Sequence, residues 1–272
     1  MEKSSVPSDA MRITPGTPVG DAAARRSDPA YRRSLSSSVR DWDAQVDRFA
    51  RYFVAHANLP RRPFAFLDVG CGTGAGVARI GAVYPQAQLF GCDVEQTHVD
   101  IATALYGDCG TFFRRNLTEL DGHYDVIECS NVLEHLTNWR EAAAHLLTCC
   151  KRLYIFVPYR ETLDGVPLAP TGRETVAEHV ACFDKTSFRL WPRERVAIAT
   201  RVLRTPGAWG IRLRRELVYR LKAALARQPF DVQRQLAVCI THRQYLPSLP
   251  TPFVPRPWAA LRLAAGRATV HR

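Results

Sequence analysis

The sequence predicts an α/β protein whose parallel sheet is covered by helices on both faces. Short apolar runs alternate with segments of helical periodicity from residue 64 onward, and this alternation implies right-handed crossovers between parallel strands. The first apolar run leads directly into a glycine-rich turn, which in such sheets is a common place for a ligand. With 272 residues, 46% of them hydrophobic, the chain is long enough to bury a sizeable core.

The predicted elements follow one another in a regular order. Apolar residues recur at three- and four-residue steps from Trp42 to Ala57, which predicts an amphipathic helix that begins near Asp41 and ends at Leu59-Pro60. Short β-rich runs then predict five strands, at 64–69, 88–92, 111–114, 125–129 and 152–157. Three helices are predicted between them, at 75–83, 95–106 and 138–149. Two later β-rich runs lie at 196–203 and 236–241.

The remaining segments are predicted to form two tails, a lid and an insertion. Residues 1–38 are rich in Ser, Pro, Gly, Ala and Arg and lack an apolar period, so we expect a disordered tail before a domain spanning 39–243. The long unpatterned stretch 159–184 is typical of a lid loop. An apolar stripe in a basic segment predicts a helical insertion at 211–230, and a Pro-rich basic tail follows at 244–272.

Several classes of protein do not fit the composition. The longest run free of Lys, Arg, Asp and Glu, Ile80–Cys92, has 13 residues, whereas a membrane-spanning helix needs about 20 apolar residues. The first 30 residues contain no apolar segment of the kind found in secretory signals. The eight cysteines form no C-x-x-C pair and mostly sit in apolar runs, which favours reduced, buried thiols. We therefore expect a cytoplasmic protein.

The positive charge is concentrated in the last third of the chain. The formal net charge is +11, yet residues 187–272 hold 17 Lys and Arg against 3 Asp and Glu, a net +14, and residues 1–186 carry −3. Three interpretations of this basic region stay open: a solvated face that covers the sheet edge, peripheral contact with anionic lipid, and contact with nucleic acid. No aromatic interleaving or RNA-binding motif supports the last of these.

The main functional signal is the segment Leu-Asp-Val-Gly-Cys-Gly-Thr-Gly at 67–74. Glycines between a strand and a helix let the backbone turn sharply and approach a ligand, which then faces the free N–H groups of the helix start. Asp93 ends the next predicted strand, 25 residues after Asp68, where a carboxylate can accept hydrogen bonds from both hydroxyls of a ribose. The spacing predicts an adenosine-type nucleoside across the ends of the first two strands.

The acid ahead of the glycines indicates which nucleoside-containing cofactor the loop binds. Gly70-x-Gly72-x-x-Ala75 fits the relaxed dinucleotide fingerprint, so an NAD dehydrogenase stays an alternative. The Asp68 carboxylate would repel a pyrophosphate, however, and would suit a ligand that carries an ammonium and a sulfonium group. No Gly-Lys-Ser/Thr follows the glycines, so a P-loop does not fit.

These motifs resemble those of class I S-adenosylmethionine-dependent methyltransferases. Besides the 67–74 loop, the resemblance rests on Gly-Cys-Asp-Val at 91–94, on Asp-Val-Ile at 125–127, and on Asn-Val-Leu-Glu-His-Leu at 131–136. The last segment resembles the branch that contains ubiquinone-pathway and small-metabolite enzymes, types 11 and 23. The likeness extends over about residues 40–243. It implies a Rossmann-like seven-stranded sheet of order 3-2-1-4-5-7-6, with the seventh strand antiparallel and S-adenosyl-L-methionine as cofactor.

The resemblance also implies a set of cofactor-binding residues. The loop corresponds to the part of the family site around the amino-acid portion of the cofactor, Asp93 to the ribose acid and Val94 to the adenine flank. Asn116-Leu117 stands where the family often has an acid beside the adenine amine, and an Asn oxygen can still accept that bond. Ser130-Asn131 follows the fourth strand, where the family contacts the methionine portion. The expected set is Asp68, Gly70, Cys71, Gly72, Gly74, Asp93, Val94, Asn116, Leu117, Ser130 and Asn131.

Methyl transfer from a sulfonium is an in-line displacement, so the protein mainly aligns the nucleophile and excludes water. An oxygen nucleophile usually needs a general base, and histidine is the side chain best suited near neutral pH. The catalytic candidates are His135, in the loop after the fourth strand, and His179, in the predicted lid. A purely structural role for His135, as an anchor of its loop, stays open.

A metal ion is not expected. Some relatives that act on catechol-like rings or RNA ribose ends have Glu-x-x-Glu-His and a distant His, which bind a divalent ion. Here Asn131 takes the place of the first Glu, ahead of Glu134-His135 and His179. The loss of a charged ligand weakens a site for a hard cation.

The sequence thus predicts an S-adenosylmethionine-dependent methyltransferase that acts on a small-molecule or glycan-type acceptor at oxygen. An RNA ribose 2′-O-methyltransferase that uses the basic C-terminal region is the alternative within the class, and a non-catalytic scaffold or activator subunit is the alternative outside it. The chain lacks the Asn/Asp-Pro-Pro-Tyr motif that serves methylation of exocyclic amines on DNA bases.

Overall fold

The computed structural model describes most of the predicted domain. The described residues are 35–159, 183–204 and 234–255, together with 22, 28, 30, 31, 179, 181, 258, 259 and 262. The expected basic insertion at 211–230 and nearly all of the expected lid at 159–184 lie outside the described residues. Most of the expected N-terminal tail and the last part of the expected C-terminal tail lie outside them as well. The division into tails, lid and insertion therefore stays a prediction.

Strands and helices alternate in the described part as the sequence predicts. The strands are β1 (Phe64–Val69), β2 (Ala87–Asp93), β3 (Thr111–Arg114), β4 (Tyr124–Ser130), β5 (Cys150–Pro158), β6 (Val196–Arg204) and β7 (Arg234–His242). The α-helices are α1 (Ser37–His56), α2 (Ala75–Val83), α3 (Gln96–Tyr106) and α4 (Trp139–Thr148). The seven strands form one sheet of order β3-β2-β1-β4-β5-β7-β6, which confirms the expected order.

The strand directions also match the expectation. β2 pairs parallel to β1 and to β3, whereas β7 pairs antiparallel to both β5 and β6. The antiparallel register sets Gln235, near the start of β7, opposite Pro158 at the end of β5. The start of β7 therefore lies at the carboxyl end of β5, which is the edge where parallel sheets hold their ligands.

The fold divides into two compact units, and the first comprises the chain up to Ile127 together with the segment from Pro250. Its helix α1 begins at Ser37, four residues before the predicted start, because the Ser36 side chain accepts a hydrogen bond from the Val39 N–H (3.2 Å). Tyr31 and Leu35 pack against a cluster of Val39, Ile101 and Leu105. Part of the segment expected to be a tail therefore contributes to the core of this unit.

The second unit, Glu128–Leu249, is built on β5 and β7. The Arg152 side chain is fully buried there, and its Nε donates a hydrogen bond to Thr241 Oγ1 (2.9 Å). Trp139 of α4 packs on Phe183 and Phe188, with ring centroids 4.9 and 5.3 Å away. This aromatic cluster fixes the chain at the end of the predicted lid.

The described residues agree with the expected cysteine chemistry. All seven described cysteines are free thiols, and all but Cys109 are buried. Burial raises the pKa of the Cys239 thiol to about 11, which keeps the thiol neutral. Over the described stretches, no helix is both long enough and apolar enough to cross a membrane.

Candidate functional site

The glycine-rich loop between β1 and α2 is folded back onto the end of β2. The N–H groups of Gly70 and Cys71 both donate to the carbonyl oxygen of Cys92, at 2.8 and 3.0 Å. Gly72 has a φ of +54° and Gly74 a φ of +83°, a region that side chains with a Cβ rarely adopt. Both glycines are therefore required for the loop to hold this shape.

Neighbouring side chains also leave no room for a Cβ at Gly72 or Gly74. A Cβ on Gly72 would lie 2.9 Å from the Trp42 ring, and a Cβ on Gly74 would lie 2.8 Å from the Ala102 Cβ. Trp42 comes from α1, so this helix covers the loop. The sequence predicted α1 but did not indicate that Trp42 would contact the loop.

Asp93, the last residue of β2, is held by two backbone donors and lies beside His98. The Gly72 N–H donates to its Oδ2 and the Glu95 N–H to its Oδ1, both at 3.1 Å, and His98 Nδ1 lies 3.1 Å from Oδ1. Burial raises the pKa of Asp93, but His98 and the two backbone N–H groups lower it by more, so the pKa lies below its ordinary value. Asp93 is therefore a carboxylate at neutral pH.

His98 is a residue of this site that the sequence reasoning missed. Its ring packs on the Trp42 ring with 4.1 Å between centroids, so Trp42 limits the orientations of the imidazole that faces Asp93. A usable signal was present, because His98 follows Asp93 by five residues, near the start of the next helix. The first turns of that helix remain close to the end of the strand.

Asp68 is the second acid of the loop region, and its environment is different. Only 8% of the residue is exposed. Burial, with a further contribution from the charge of Asp93, raises the pKa of Asp68 to about 7. A Cβ on Gly76 would lie 2.7 Å from Asp68 Oδ2, so Gly76, also missed from the sequence, makes room for the carboxyl group at the start of α2. A buried acid with a raised pKa is suited to a cationic ligand.

Cys71 lies in the same loop and is a neutral thiol. It is 1% exposed, and burial together with the charges of Asp68 and Asp93 raises its pKa well above the ordinary value. The Cys71 N–H is already used by Cys92. The structure therefore gives Cys71 a packing role in the loop.

The residues expected beside the adenine lie after β2 and β3. Val94 is 51% exposed, and its carbonyl oxygen accepts a hydrogen bond from Arg114 Nε (2.9 Å). Asn116 Oδ1 accepts bonds from the Thr118 N–H (3.1 Å) and from Thr118 Oγ1 (3.0 Å), and so caps a short 3₁₀ turn that begins at Leu117. Because Thr118 already uses this oxygen, an adenine amine would have to compete with Thr118 for it.

In the second unit, the residues at the end of β4 form a chain of hydrogen bonds that reaches β7. Asn131 Nδ2 donates to Ser130 Oγ (3.1 Å), and Asn131 Oδ1 accepts a bond from Gln235 Nε2 (2.7 Å). Asn131 has a φ of +55°, the only positive φ of a non-glycine among the described residues, and its N–H bonds to Phe156 O (2.8 Å). Gln235 is 2% exposed and was missed because it lies 104 residues from Asn131 in sequence.

The two candidate histidines lie together in this second unit. Their rings are perpendicular with centroids 4.7 Å apart, and His135 is in a 3₁₀ turn, Leu133–His135. Glu134 joins them with a side chain that is 1% exposed. One donor atom from each of Glu134, His135 and His179 lies within 4.8 Å of the others, so the three residues could hold a metal ion.

The middle of the chain is similar to known methyltransferases. Residues 67–152 match a family model described as a methyltransferase domain. The magnesium-protoporphyrin O-methyltransferase of Synechocystis is 31% identical over 138 residues, which are 47% of this chain and 57% of that protein. The trans-aconitate 2-methyltransferase of Deinococcus radiodurans is 31% identical over 91 residues, 33% of this chain and 35% of that protein. The matches thus span less than two thirds of either relative.

Two solved methyltransferase structures share this fold. The plantazolicin methyltransferase BpumL, solved with S-adenosylhomocysteine, has a TM-score of 0.51 and 20% identity, over 83% of this chain and 98% of that one. Phosphoethanolamine N-methyltransferase 2 of Haemonchus contortus has a TM-score of 0.51 and 13% identity, over 72% and 51%. At these identities the likeness concerns the fold. The methyltransferase-domain match over residues 67–152, the two relatives and the β3-β2-β1-β4-β5-β7-β6 sheet together support a class I S-adenosylmethionine-dependent methyltransferase fold.

Proposed function

We propose that this chain is an S-adenosylmethionine-dependent methyltransferase that methylates a small-molecule acceptor at a hydroxyl oxygen. The observation that carries the proposal is the pair of acids beside the glycine loop, Asp68 with a raised pKa and Asp93 held as a carboxylate. Both curated relatives are named for small-molecule acceptors, and one is named as an O-methyltransferase.

The two acids suit different parts of the cofactor. Asp93 is a carboxylate at neutral pH and has lone pairs beyond those used by its two backbone donors, so it can accept hydrogen bonds from the ribose hydroxyls. Asp68 is nearly buried, and ionisation becomes favourable when a cation arrives to replace lost hydration. The ammonium group of S-adenosylmethionine, with the nearby sulfonium, provides that cation.

The other expected cofactor residues keep their proposed roles. Gly70, Gly72 and Gly74 let the backbone approach the amino-acid portion of the cofactor without a Cβ in the way, and Val94 offers an exposed apolar surface to the adenine. Asn116, Leu117, Ser130 and Asn131 complete the proposed set. Cys71 belongs to it only through the shape of the loop, since its thiol is buried and its N–H is used.

The acceptor hydroxyl must lose a proton during the reaction. An oxygen lone pair forms the new bond to the methyl carbon while the electrons of the carbon–sulfur bond move to sulfur, which leaves a neutral thioether. We propose His135 and His179 as the catalytic residues that assist loss of the hydroxyl proton. The geometry supports this role because the two imidazoles and the Glu134 carboxylate form one cluster.

Calorimetry with S-adenosylhomocysteine tests the cofactor part of the proposal. We expect one ligand per chain, with affinity reduced at least tenfold by Asp93→Asn, because the amide donates where the carboxylate accepts. Asp121→Asn is the matched control, because Asp121 is an exposed aspartate at the surface, and it should bind like the wild type. Absence of binding at millimolar ligand, or equal affinity in Asp93→Asn, would refute the proposal.

Three further predictions about the acceptor and its surroundings come from the sequence alone. A glycan-type acceptor, a cytoplasmic location and contact of the basic region at 187–272 with anionic lipid remain predictions from the sequence. Transfer of methyl label into an RNA fraction instead of a small-molecule fraction would favour the ribose-methylating alternative. Such RNA binding should weaken steeply with salt.

A further inference from the structure

We propose that Glu134, His135 and His179 bind one divalent transition-metal cation, of which Zn²⁺ is the representative. The role of the cation toward the acceptor rests on the proposed function, but binding of the cation does not. The sequence argued against a metal because Asn131 replaces a charged residue. In the structure the Asn131 amide is bonded to Ser130 and Gln235, and the three-residue cluster is complete without it.

The donor atoms are close to the spacing that a cation requires. All three lie within 4.8 Å of one another. Ligand atoms about 2.1 Å from a tetrahedral ion are roughly 3.4 Å apart. Side-chain rotations that shorten these separations from 4.8 Å or less to about 3.4 Å would close the cluster on an ion.

The backbone holds the three residues in place before any ion arrives. Glu134 and His135 are neighbours in one 3₁₀ turn. The Ala181 N–H donates to the Glu134 carbonyl oxygen (3.1 Å), which ties the segment of His179 to that turn. Phe183, 1% exposed and packed on Trp139, anchors the same segment two residues further on. An assembled ligand set lowers the entropy cost of binding.

The donor set indicates which cations fit. Two imidazole nitrogens and one carboxylate oxygen suit Zn²⁺, Fe²⁺, Co²⁺ and Ni²⁺, whereas Mg²⁺ and Ca²⁺ prefer oxygen ligands. Three protein ligands leave at least one coordination position open. His135 is exposed, so both the ion and a further ligand can reach the site from solvent.

An open coordination position that the acceptor hydroxyl enters would give the cation a chemical role. A bound cation polarises a hydroxyl that it contacts and lowers its pKa, so that the proton passes to solvent water at neutral pH. The oxygen lone pair then attacks the methyl carbon as described above. No oxidant, reductant or other co-reactant is needed.

Titration of the untagged, chelator-treated protein with ZnCl₂ in a calorimeter tests the site. We expect one Zn²⁺ per chain at micromolar or lower dissociation constant, and no heat from millimolar MgCl₂. Co²⁺ should give the visible absorption of a site with nitrogen and oxygen ligands. Glu134→Gln and His179→Ala should each weaken Zn²⁺ binding at least tenfold, and His123→Ala, which removes an exposed histidine elsewhere, should not.

Two further measurements keep the test decisive. If the buried Glu134→Gln variant fails to fold, His135→Asn changes an exposed ligand instead and should weaken Zn²⁺ binding similarly. Affinity for S-adenosylhomocysteine is measured on the same samples, so that failure of the proposed function appears there and failure of the metal site appears in the Zn²⁺ titration. Absence of Zn²⁺ binding, or equal Zn²⁺ affinity in wild type, His135→Asn and His179→Ala, would overturn the proposal.

Discussion

The raised pKa of Asp68 predicts that cofactor affinity depends on pH in a specific way. In the free chain, burial and the Asp93 charge raise this pKa to about 7. Below that pH the carboxyl group is neutral and loses its attraction for an ammonium group. The affinity for S-adenosylhomocysteine should therefore fall as the pH drops through 7 and level off above it.

The size of the effect follows from the fraction of ionised Asp68. If only the ionised form binds, about one chain in eleven is competent at pH 6, so affinity should be about tenfold below its value at pH 8. At pH 5 the loss approaches about a hundredfold. Asp93 stays ionised over this range because its pKa is lowered, so it adds little to the slope.

Calorimetry at pH 5, 6, 7 and 8, each in two buffers of different ionisation enthalpy, measures both the affinity and the protons released. Close to one proton should be released per ligand at pH 6. The Asp68→Asn variant should bind weakly with little dependence on pH. Equal wild-type affinity at pH 6 and pH 8, or the same slope in Asp68→Asn, would contradict the assignment of Asp68.

Urea unfolding of the ligand-free chain checks that the Asp68→Asn variant is folded. The native pKa of Asp68 lies above the value near 4 of an unfolded chain, so between those values the native state binds more protons and stability falls as the pH rises. Above pH 7 the ionised Asp68 carboxylate therefore lowers the free energy of unfolding by up to about 4 kcal/mol, because its pKa is about 3 above the ordinary value. Asp68→Asn should therefore unfold at a higher urea concentration than the wild type at pH 8, and a lower midpoint would argue against this origin of the pKa.

Three other substitutions test the surroundings of the loop. Gly72→Ala should lower the free energy of unfolding by about 1–3 kcal/mol and weaken cofactor binding, because its Cβ would meet Trp42 at 2.9 Å at a φ of +54°; urea unfolding and calorimetry with S-adenosylhomocysteine measure the two effects, and unchanged values would contradict the clash. His98→Ala should raise the pKa of Asp93, so its affinity relative to wild type should be lower at pH 5.5 than at pH 8, and an equal ratio at both would refute the coupling. Ser36→Ala should cost about 1 kcal/mol of stability through the lost helix cap with unchanged cofactor affinity, and a weaker affinity would show that the start of α1 matters to the site.

Much of the fold could be predicted because its signals are local. Period-two and period-3.6 patterns give the strands and helices, and the glycine loop with Asp93 defines the ends of β1 and β2. The sheet order came from family resemblance, since periodicity alone does not order strands. The start of α1 was misjudged because Tyr31, Leu35 and Val39, which recur every four residues, are embedded in a stretch rich in Ser and Arg.

The missed site residues share a different cause. Trp42 and Gln235 reach their partners across 30 and 104 residues of chain, through packing that no short motif encodes. His98 is close to Asp93 in sequence, but a single histidine on a helix has many ordinary roles. Glu134 was visible within the Asn131–Leu136 segment, yet only the folded chain brings it together with His135 and His179.

Transfer of labelled methyl from S-adenosylmethionine into a cell extract of the source organism tests the central claim most directly. The extract is separated into small-molecule, lipid and RNA fractions after incubation with wild type or with Asp93→Asn at equal concentration. The proposed function predicts label in a small-molecule fraction with the wild type, as an alkali-stable or ester-type O-methyl group, and at least a tenfold loss with Asp93→Asn. Label that does not exceed the Asp93→Asn background in any fraction would contradict it.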